Sequence, residues 1–287
     1  MTQNRSTEFY SLITGASSGI GKVIAYECAK RSMNLVLVAL DDNILDETTL
    51  ELSNEFPSLK IIALPVDLAD NMAAHIIFNY CQKHSVTINM LINNAAIGGS
   101  GKFLSHSASF HENALKINAM TPLLLTRLFI PEMLKLNTAY ILNVSSAASF
   151  FDMPYKIIYA STKSFVYSFT RALREELLNT GITVSVLCSG GVVTNAETKK
   201  RCEELGYISK KLQLSAEAVA IEAVKGLLKG KRLILPGLSS KLFFILSKIL
   251  PYRLKILVLT KYYKRVYDRP KVNTSVLLQE PVIVNSN

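Results

Sequence analysis

The sequence predicts an α/β fold, a doubly wound parallel sheet with helices on both faces, and three observations predict it. Seven short runs rich in β-branched and aliphatic residues recur along the chain, they alternate with stretches of helical length, and most are almost continuously apolar. Strands with one wet face alternate apolar and polar residues, so continuous apolar runs belong to strands buried on both sides. The intervening helices supply the crossovers that parallel pairing requires.

The elements follow in order. FYSLIT opens the sheet and runs directly into TGASSGIG, Thr14 to Gly21, then into the helical stretch KVIAYECAKRS. Glycines permit a tight turn and close backbone approach, while a helix N-terminus offers unpaired N–H groups and a positive dipole end to a phosphate. NLVLVA ends at Leu40, Asp41 and Asp42, and KIIALPV ends at Asp67 and Leu68. INMLIN leads to Asn94, and TAYILNV leads to Ser145 and Ser146. KIIYASTKSFVYSFTRAL reads as a buried helix, ITVSVLC as the sixth strand and RLIL as the seventh. Ligands in such sheets bind beyond the carboxyl ends of the strands, so residues just after each run are the functional candidates.

Composition narrows the class. A chain of 287 residues, 49% hydrophobic, can bury a large core as one α/β domain or as two small ones, and one domain is the preferred reading. The four cysteines show no C-x-x-C spacing and form no metal pattern with the four histidines, so no metal and no disulfide scaffold is expected. Reduced thiols and a start, MTQNRSTEFYSLITG, with no room for a signal peptide point to a cytoplasmic protein. The net charge of +10 is localised: Lys231 to Lys271 carry eleven basic residues and one acid, Asp268, which leaves the remainder balanced. The compositional break falls after Gly230.

A phenol and an ammonium four positions apart on a helix lie about 6 Å apart along its axis and share a face. That spacing occurs at Tyr26/Lys30, Tyr159/Lys163, Tyr207/Lys211 and Tyr267/Lys271, so spacing alone selects none of them. Only Tyr159 lies thirteen residues after a serine that closes a strand, Ser146, and the competing Tyr155 has Tyr159 rather than a lysine four places on. Ser145 beside Ser146 leaves a second serine in play.

The T-G-x-x-x-G-x-G form of Thr14 to Gly21, VDL at Val66 to Leu68, NNAA at Asn93 to Ala96, Asn118 in KINAMTP, NVSS, Tyr159 with Lys163, and SGGVVT ending at Thr194 occur in that order. In this set the chain resembles the short-chain dehydrogenase/reductase family over roughly residues 9 to 235. The resemblance implies a Rossmann-type, seven-stranded domain over residues 1–235, with a substrate loop at 191–214 and a C-terminal helical extension at 236–287. It implies an oxidoreductase moving hydride between a nicotinamide cofactor and a ketone or secondary alcohol. Tyr159 is then the general acid/base, Lys163 lowers its pKa and holds the nicotinamide ribose, Ser146 orients the substrate oxygen, and Asn118 keeps the proton-relay geometry. A free tyrosine with pKa about 10 is poorly tuned for proton transfer at neutral pH. A neighbouring ammonium supplies a correction of the required size.

The implied cofactor residues are Gly15, Ser17, Ser18, Gly19, Ile20 and Gly21 in the turn, Asp41 after the second strand, Asp67 and Leu68 at the adenine, Asn94 in the cleft, Tyr159 and Lys163, and Val192 and Thr194 at the nicotinamide amide. Family cues that separate the two cofactors are missing: Ala39 stands where an acid is usual, Leu40 where an arginine is usual, and Ser18 brings no cation. Asp41 and Asp42 would repel an additional phosphate, which favours NAD(H), while Lys22 leaves NADP(H) open. Ala96 replaces the last glycine of N-N-A-G, and Ser189 replaces the proline of P-G, which predicts a looser segment before Gly190.

The stretch 233–265 is apolar but punctuated by lysine and arginine and broken at Pro251, so it predicts two short amphipathic helices rather than a span. Two placements stay open: against an anionic membrane surface, peripheral at its inner face, or over the substrate cleft or in a homo-oligomer interface. Nucleic acid is not an expected partner, because the apolar content is too high for a phosphate-tracking stripe. The expected ligand is a small carbonyl or alcohol, apolar or lipid-like. The competing reading is a dinucleotide-binding regulator or membrane-surface adaptor that does not need catalysis.

Overall fold

The computed structural model describes residues 8–40, 42–193 and 213–267. Asp41, Thr194, most of the anticipated substrate loop, Tyr207 with Lys211, and Lys271 lie outside the described residues.

The chain opens as β1 (Phe9–Thr14), α1 (Gly19–Ala29), β2 (Asn34–Ala39), α2 (Asn43–Glu55), β3 (Ile61–Pro65), α3 (Ala73–Lys83) and β4 (Thr87–Asn93). It continues with α4 (Ala108–Leu115), a π-helical turn at Lys116–Met120, α5 (Thr121–Met133), β5 (Ala139–Val144), α6 (Ile157–Glu176) and β6 (Ile182–Leu187). A two-residue pair follows, β7 (Val192–Val193) with β8 (Leu214–Ser215), then α7 (Ala216–Leu228), β9 (Leu233–Ile234), α8 (Gly237–Ile249) and α9 (Tyr252–Tyr267). The main sheet has seven parallel strands in the order β3-β2-β1-β4-β5-β6-β9.

Adjacent strand residues feed opposite cores, as period-two side chains must. Leu12, Val36, Val38 and Leu91 pack with Ile77 of α3 and Leu125 and Phe129 of α5. Ile13, Leu35, Leu37 and Ile92 pack with Ile24 of α1, Leu45 and Leu52 of α2, and Val219, Ala223 and Leu227 of α7. Each fully buried Leu or Ile contributes about 1.5–3 kcal/mol, which is why both faces of every central strand are apolar.

One polar chain crosses this core. Asn93 of β4 donates to Asn143 Oδ1 of β5 at 2.8 Å, and Asn143 donates to Thr170 Oγ1 of α6 at 2.9 Å. These bonds tie β4, β5 and α6 in one register, although Asn93 Oδ1 is buried without a hydrogen-bond partner among the described residues.

The compositional break after Gly230 is not a structural boundary, because β9 lies beyond it and pairs with β6. Pro251 separates α8 from α9, the two helices expected from the amphipathic pattern.

Candidate active site

β1 and β4 are neighbours in the sheet, yet α1 packs on one face while the helices after β4 pack on the other. The chain therefore diverges at the carboxyl ends of β1 and β4 and leaves a crevice there. Gly15 sits at φ +65°, and a Cβ on Gly21 would lie 2.0 Å from the Gly15 carbonyl oxygen. Glycine is required at both places, at the first by conformation and at the second by close approach. Gly19 begins α1, and Ser18 is its N-cap residue in extended conformation with no side-chain capping bond, so the first amides of the helix are not capped by it. Ile20 packs on the core below, and the Ser17 carbonyl accepts from Thr48 of α2 at 3.1 Å.

Asn94 braces this turn. Its Nδ2 donates to the carbonyls of Thr14 and Gly15 at 2.9 and 3.2 Å, while Thr14 Oγ1 accepts from the amides of Asn94 and Ala95 at 3.0 and 3.1 Å. The side chain expected to line the cleft is thus engaged in shaping it. A cradle that excludes any Cβ, opened toward a helix N-terminus, fits the diphosphate of a nicotinamide dinucleotide.

The second half of the site forms at the end of β5. Ser145 is buried and its hydroxyl donates to the Lys163 carbonyl at 2.7 Å. Ser146 caps the following turn, accepting from Ala148 N at 3.1 Å, and its hydroxyl also bonds the Tyr159 phenol. The two serines are therefore distinguished by direction: Ser145 faces the α6 backbone and Ser146 faces Tyr159.

Tyr159 and Lys163 share a face of α6, with Lys163 Nζ 5.9 Å from the centre of the tyrosine ring. Lys163 is buried, donates to the Val144 carbonyl at 2.7 Å, and is pushed down to about 8 by its burial. Tyr159 moves the other way. Burial raises its pKa, the Ser146 hydrogen bond lowers it, and the nearby Cys188 thiol raises it. Desolvation of the phenolate is the largest of these effects.

Asn118 is buried in the π-helical turn, where it grips the Ile97 peptide twice. Its Oδ1 accepts from Ile97 N at 2.8 Å and its Nδ2 donates to Ile97 O at 2.9 Å. Nδ2 also approaches Thr162 Oγ1 at 3.2 Å, and Thr162 donates to the Tyr159 carbonyl at 3.0 Å. The widened turn, a feature found often at functional sites, aims Asn118 away from an ordinary helical direction.

At the end of β2, Ala39 is buried, Leu40 is exposed, and Asp42 is occupied as the N-cap of α2, accepting from Leu45 N at 3.0 Å. Lys22 is paired with Glu51 at 2.6 Å, so a phosphate would have to compete for it. Asp67 is exposed and accepts from Ala69 N at 2.9 Å. The Leu68 side chain belongs to the core, and its carbonyl accepts from Thr121 at 3.0 Å. The decoy phenol of Tyr26 bonds Glu51 at 3.0 Å, and Tyr267 stacks on Tyr155 with centroids 5.7 Å apart.

The segment after β6 is tighter than the missing proline predicted. Ser189 O accepts from Ala147 N at 2.8 Å, and Gly190 N donates to Ser240 Oγ of α8 at 2.9 Å. Val192 pairs with Leu214 in the β7–β8 ladder. Ser240, Thr162 and Cys188 are the neighbours that motif reading missed. Cys188 sits between Lys163 and Ser149 with its thiol pushed up to about 12 by burial, and nothing local in the sequence signals any of the three.

A family model described as short chain dehydrogenase matches residues 10–205. Estradiol 17-beta-dehydrogenase 11 of Mus musculus is 30% identical over 247 residues, covering 84% of this chain and 80% of that protein. A solved short-chain dehydrogenase from Sphingobium yanoikuyae in complex with NADPH is 25% identical, with TM-score 0.71 over 94% of this chain and 99% of that one. A short chain dehydrogenase/reductase from Burkholderia phymatum in complex with NAD is also 25% identical, with TM-score 0.73 over 88% of this chain and 95% of that one. Against other curated relatives, a ketoacyl reductase and very-long-chain 3-oxoacyl-CoA reductases, the chain spans 62% to 64% of their length.

Proposed function

Since the chain belongs to the short-chain dehydrogenase family, we propose that it interconverts a ketone and a secondary alcohol with a nicotinamide cofactor. The observation that carries this reading is the placement of Lys163 on the Tyr159 face of α6 with Ser146 at the phenol, in a chain whose first strand ends in the glycine cradle.

The hydride chemistry would be supplied by a nicotinamide dinucleotide. Gly15, Ser17, Ser18, Gly19, Ile20 and Gly21 would hold its diphosphate at the start of α1, and Asp67 would meet the adenine. Tyr159 supplies the proton. The phenol is protonated at neutral pH, the form needed to neutralise an oxygen that gains charge during reduction, and the positive charges of Lys163 and of an oxidised nicotinamide would offset the burial that raises its pKa. Ser146, already bonded to that phenol, orients the same oxygen. An ammonium has three donors, and the Val144 carbonyl uses one from Lys163, so the other two would be available to the ribose hydroxyls of a bound cofactor. Asn118 acts through Thr162 and the Ile97 peptide to keep α6 aligned; it is a positioning residue. Thr194 and Asp41, outside the described residues, would have the roles that the family resemblance implies.

NAD(H) is the preferred cofactor. Leu40 provides no cation, Asp42 puts negative charge at the β2 end, and Lys22 is neutralised by Glu51. The substrate is apolar, in keeping with relatives named for estradiol and 3-oxoacyl chemistry. Turnover of a carbonyl panel with NADH and with NADPH tests the reading, with Tyr159→Phe as the paired variant. The expected outcome is a lower KM for NADH and a loss of about 10²–10⁴ in kcat on removing the hydroxyl, with cofactor affinity retained. Equal kcat in the two proteins would remove Tyr159 from the reaction.

A further inference from the structure

We propose that α8 docks this protein on the surface of an anionic lipid bilayer while its inner side holds the loop that follows β6. The outer side carries Leu238, Leu242, Ile245 and Ile249, which recur at the spacing of a single helical face and are all exposed, Leu238 by 82% and Ile249 by 71%. Lys241 and Lys248 flank that stripe and are exposed too. Residues 236–267 hold seven lysines and arginines and no acid, and the one carboxylate shown against α8 among the described residues is Glu222 of α7, which accepts from Gly237 N at 3.3 Å at the start of the helix, so the excess charge is positive.

Charge selects the occupant. A second copy paired through the same face would bring two cation rows together, whereas a leaflet of anionic lipid neutralises them and accepts the apolar stripe below its headgroups. No helix among the described residues is long and apolar enough to cross a membrane, so this contact is in the plane of the interface.

The inner side of the same helix is built into the domain. Ser240 is fully buried and accepts from Gly190 N at 2.9 Å, and Phe244 packs edge-on against Phe150 with centroids 5.2 Å apart. Phe150 lies in the turn capped by Ser146. Lipid contact on α8 is thereby one helix diameter from the loop and turn bordering the reacting groups, a short route for an apolar substrate. Only that last step rests on the oxidoreductase reading.

The full-length chain is sedimented with vesicles of phosphatidylcholine alone and of phosphatidylcholine with phosphatidylserine in about equal parts. Binding to the mixed vesicles only is expected, weakened by added salt. Lys241→Gln together with Lys248→Gln should weaken partitioning roughly thirtyfold, at about 1 kcal/mol per cation. Leu242→Gln with Ile245→Gln should abolish it, and Lys225→Gln on α7 should leave it unchanged. Cofactor binding and turnover of a water-soluble ketone, expected to be unaffected in the stripe variant, show that it is folded. Equal vesicle binding by the stripe variant, or none by the parent chain, overturns the proposal. So does a dimer that dissociates on stripe substitution, which would make a second copy the occupant. Vesicle binding that persists without any carbonyl turnover supports docking and counts against the reaction alone.

Discussion

At the scale of the residue, Lys163 is the group under greatest tension. Its ammonium is buried, with the Val144 carbonyl as its hydrogen-bond acceptor, and desolvation brings its pKa down to about 8. An unfolded lysine keeps its proton to about pH 10.4, so between these values the unfolded chain binds more protons than the folded one. Stability contributed by this site therefore rises with pH across that window, and the full cost of burying the charge is present below it. That cost is on the order of 3 kcal/mol. Lys163→Met should raise the midpoint of thermal unfolding at pH 7 and flatten its rise between pH 8 and 10; scanning calorimetry of the ligand-free proteins checks both. A variant no more stable than the parent at pH 7 would mean that the buried ammonium is better compensated than its surroundings indicate.

The choice between the adjacent serines also belongs to this scale. Motif spacing favoured Ser146 over Ser145 by the thirteen-residue offset alone, and alternation in the extended backbone leaving β5 turns the two side chains apart. One hydroxyl is consumed by the Lys163 carbonyl and the other reaches the phenol. No property of the dipeptide itself distinguishes them, because their identities are the same and only the sheet decides which way each points.

Among elements, the glycine turn shows how much of a binding site can be backbone. The Cβ that Gly21→Ala would add falls 2.0 Å from a carbonyl oxygen already bonded to Asn94, so the turn must open or α1 must move. Calorimetric titration with NADH should show affinity reduced at least about tenfold for Gly21→Ala, whereas Gly98→Ala, which has nothing within 4 Å of its added methyl, should bind as the parent does. Equal affinity in both variants would show that the turn does not set the cradle. The turn was legible because three glycines between a strand and a helix have a local meaning. Asn94 was legible as a position but not as a brace, since its partners are 80 residues away in the chain. The π-helical turn at Asn118 had no sequence signal either: KINAM contains ordinary helix formers, and the extra residue is accommodated by the grip on Ile97.

For the whole molecule, the C-terminal extension changes the meaning of the departures upstream. Ser189 in place of proline predicted looseness, yet the loop is fastened by Ala147 and, across 50 residues of chain, by Ser240. Ser240→Ala would leave the Gly190 amide without its acceptor, at a cost of about 1–3 kcal/mol. Urea unfolding should register that loss, and the KM for NADH should rise through the loosened loop. A fully buried methyl that left both quantities unchanged would show that Gly190 finds another acceptor and that α8 is not what secures the segment. The basic, apolar character of α8 and α9 was evident from composition, as was the break at Pro251. Which residues of those helices turn inward was not, because in α8 the aliphatic stripe is the exposed side and the inward side carries Ser240 and Phe244, whose partners are remote in the chain.

By itself the sequence determined the α/β class, the seven strands, the glycine cradle and the Tyr159–Lys163 face, because each rests on a short-range period: two for strands, four along a helix, or glycines at fixed offsets in one turn. Tertiary structure alone decided that Ser145 turns to the α6 backbone, that Asn94 braces the glycine turn, and that α8 anchors the loop after β6. Each of those depends on distance and desolvation between groups remote along the chain, and neither quantity exists until the strands are stacked in order.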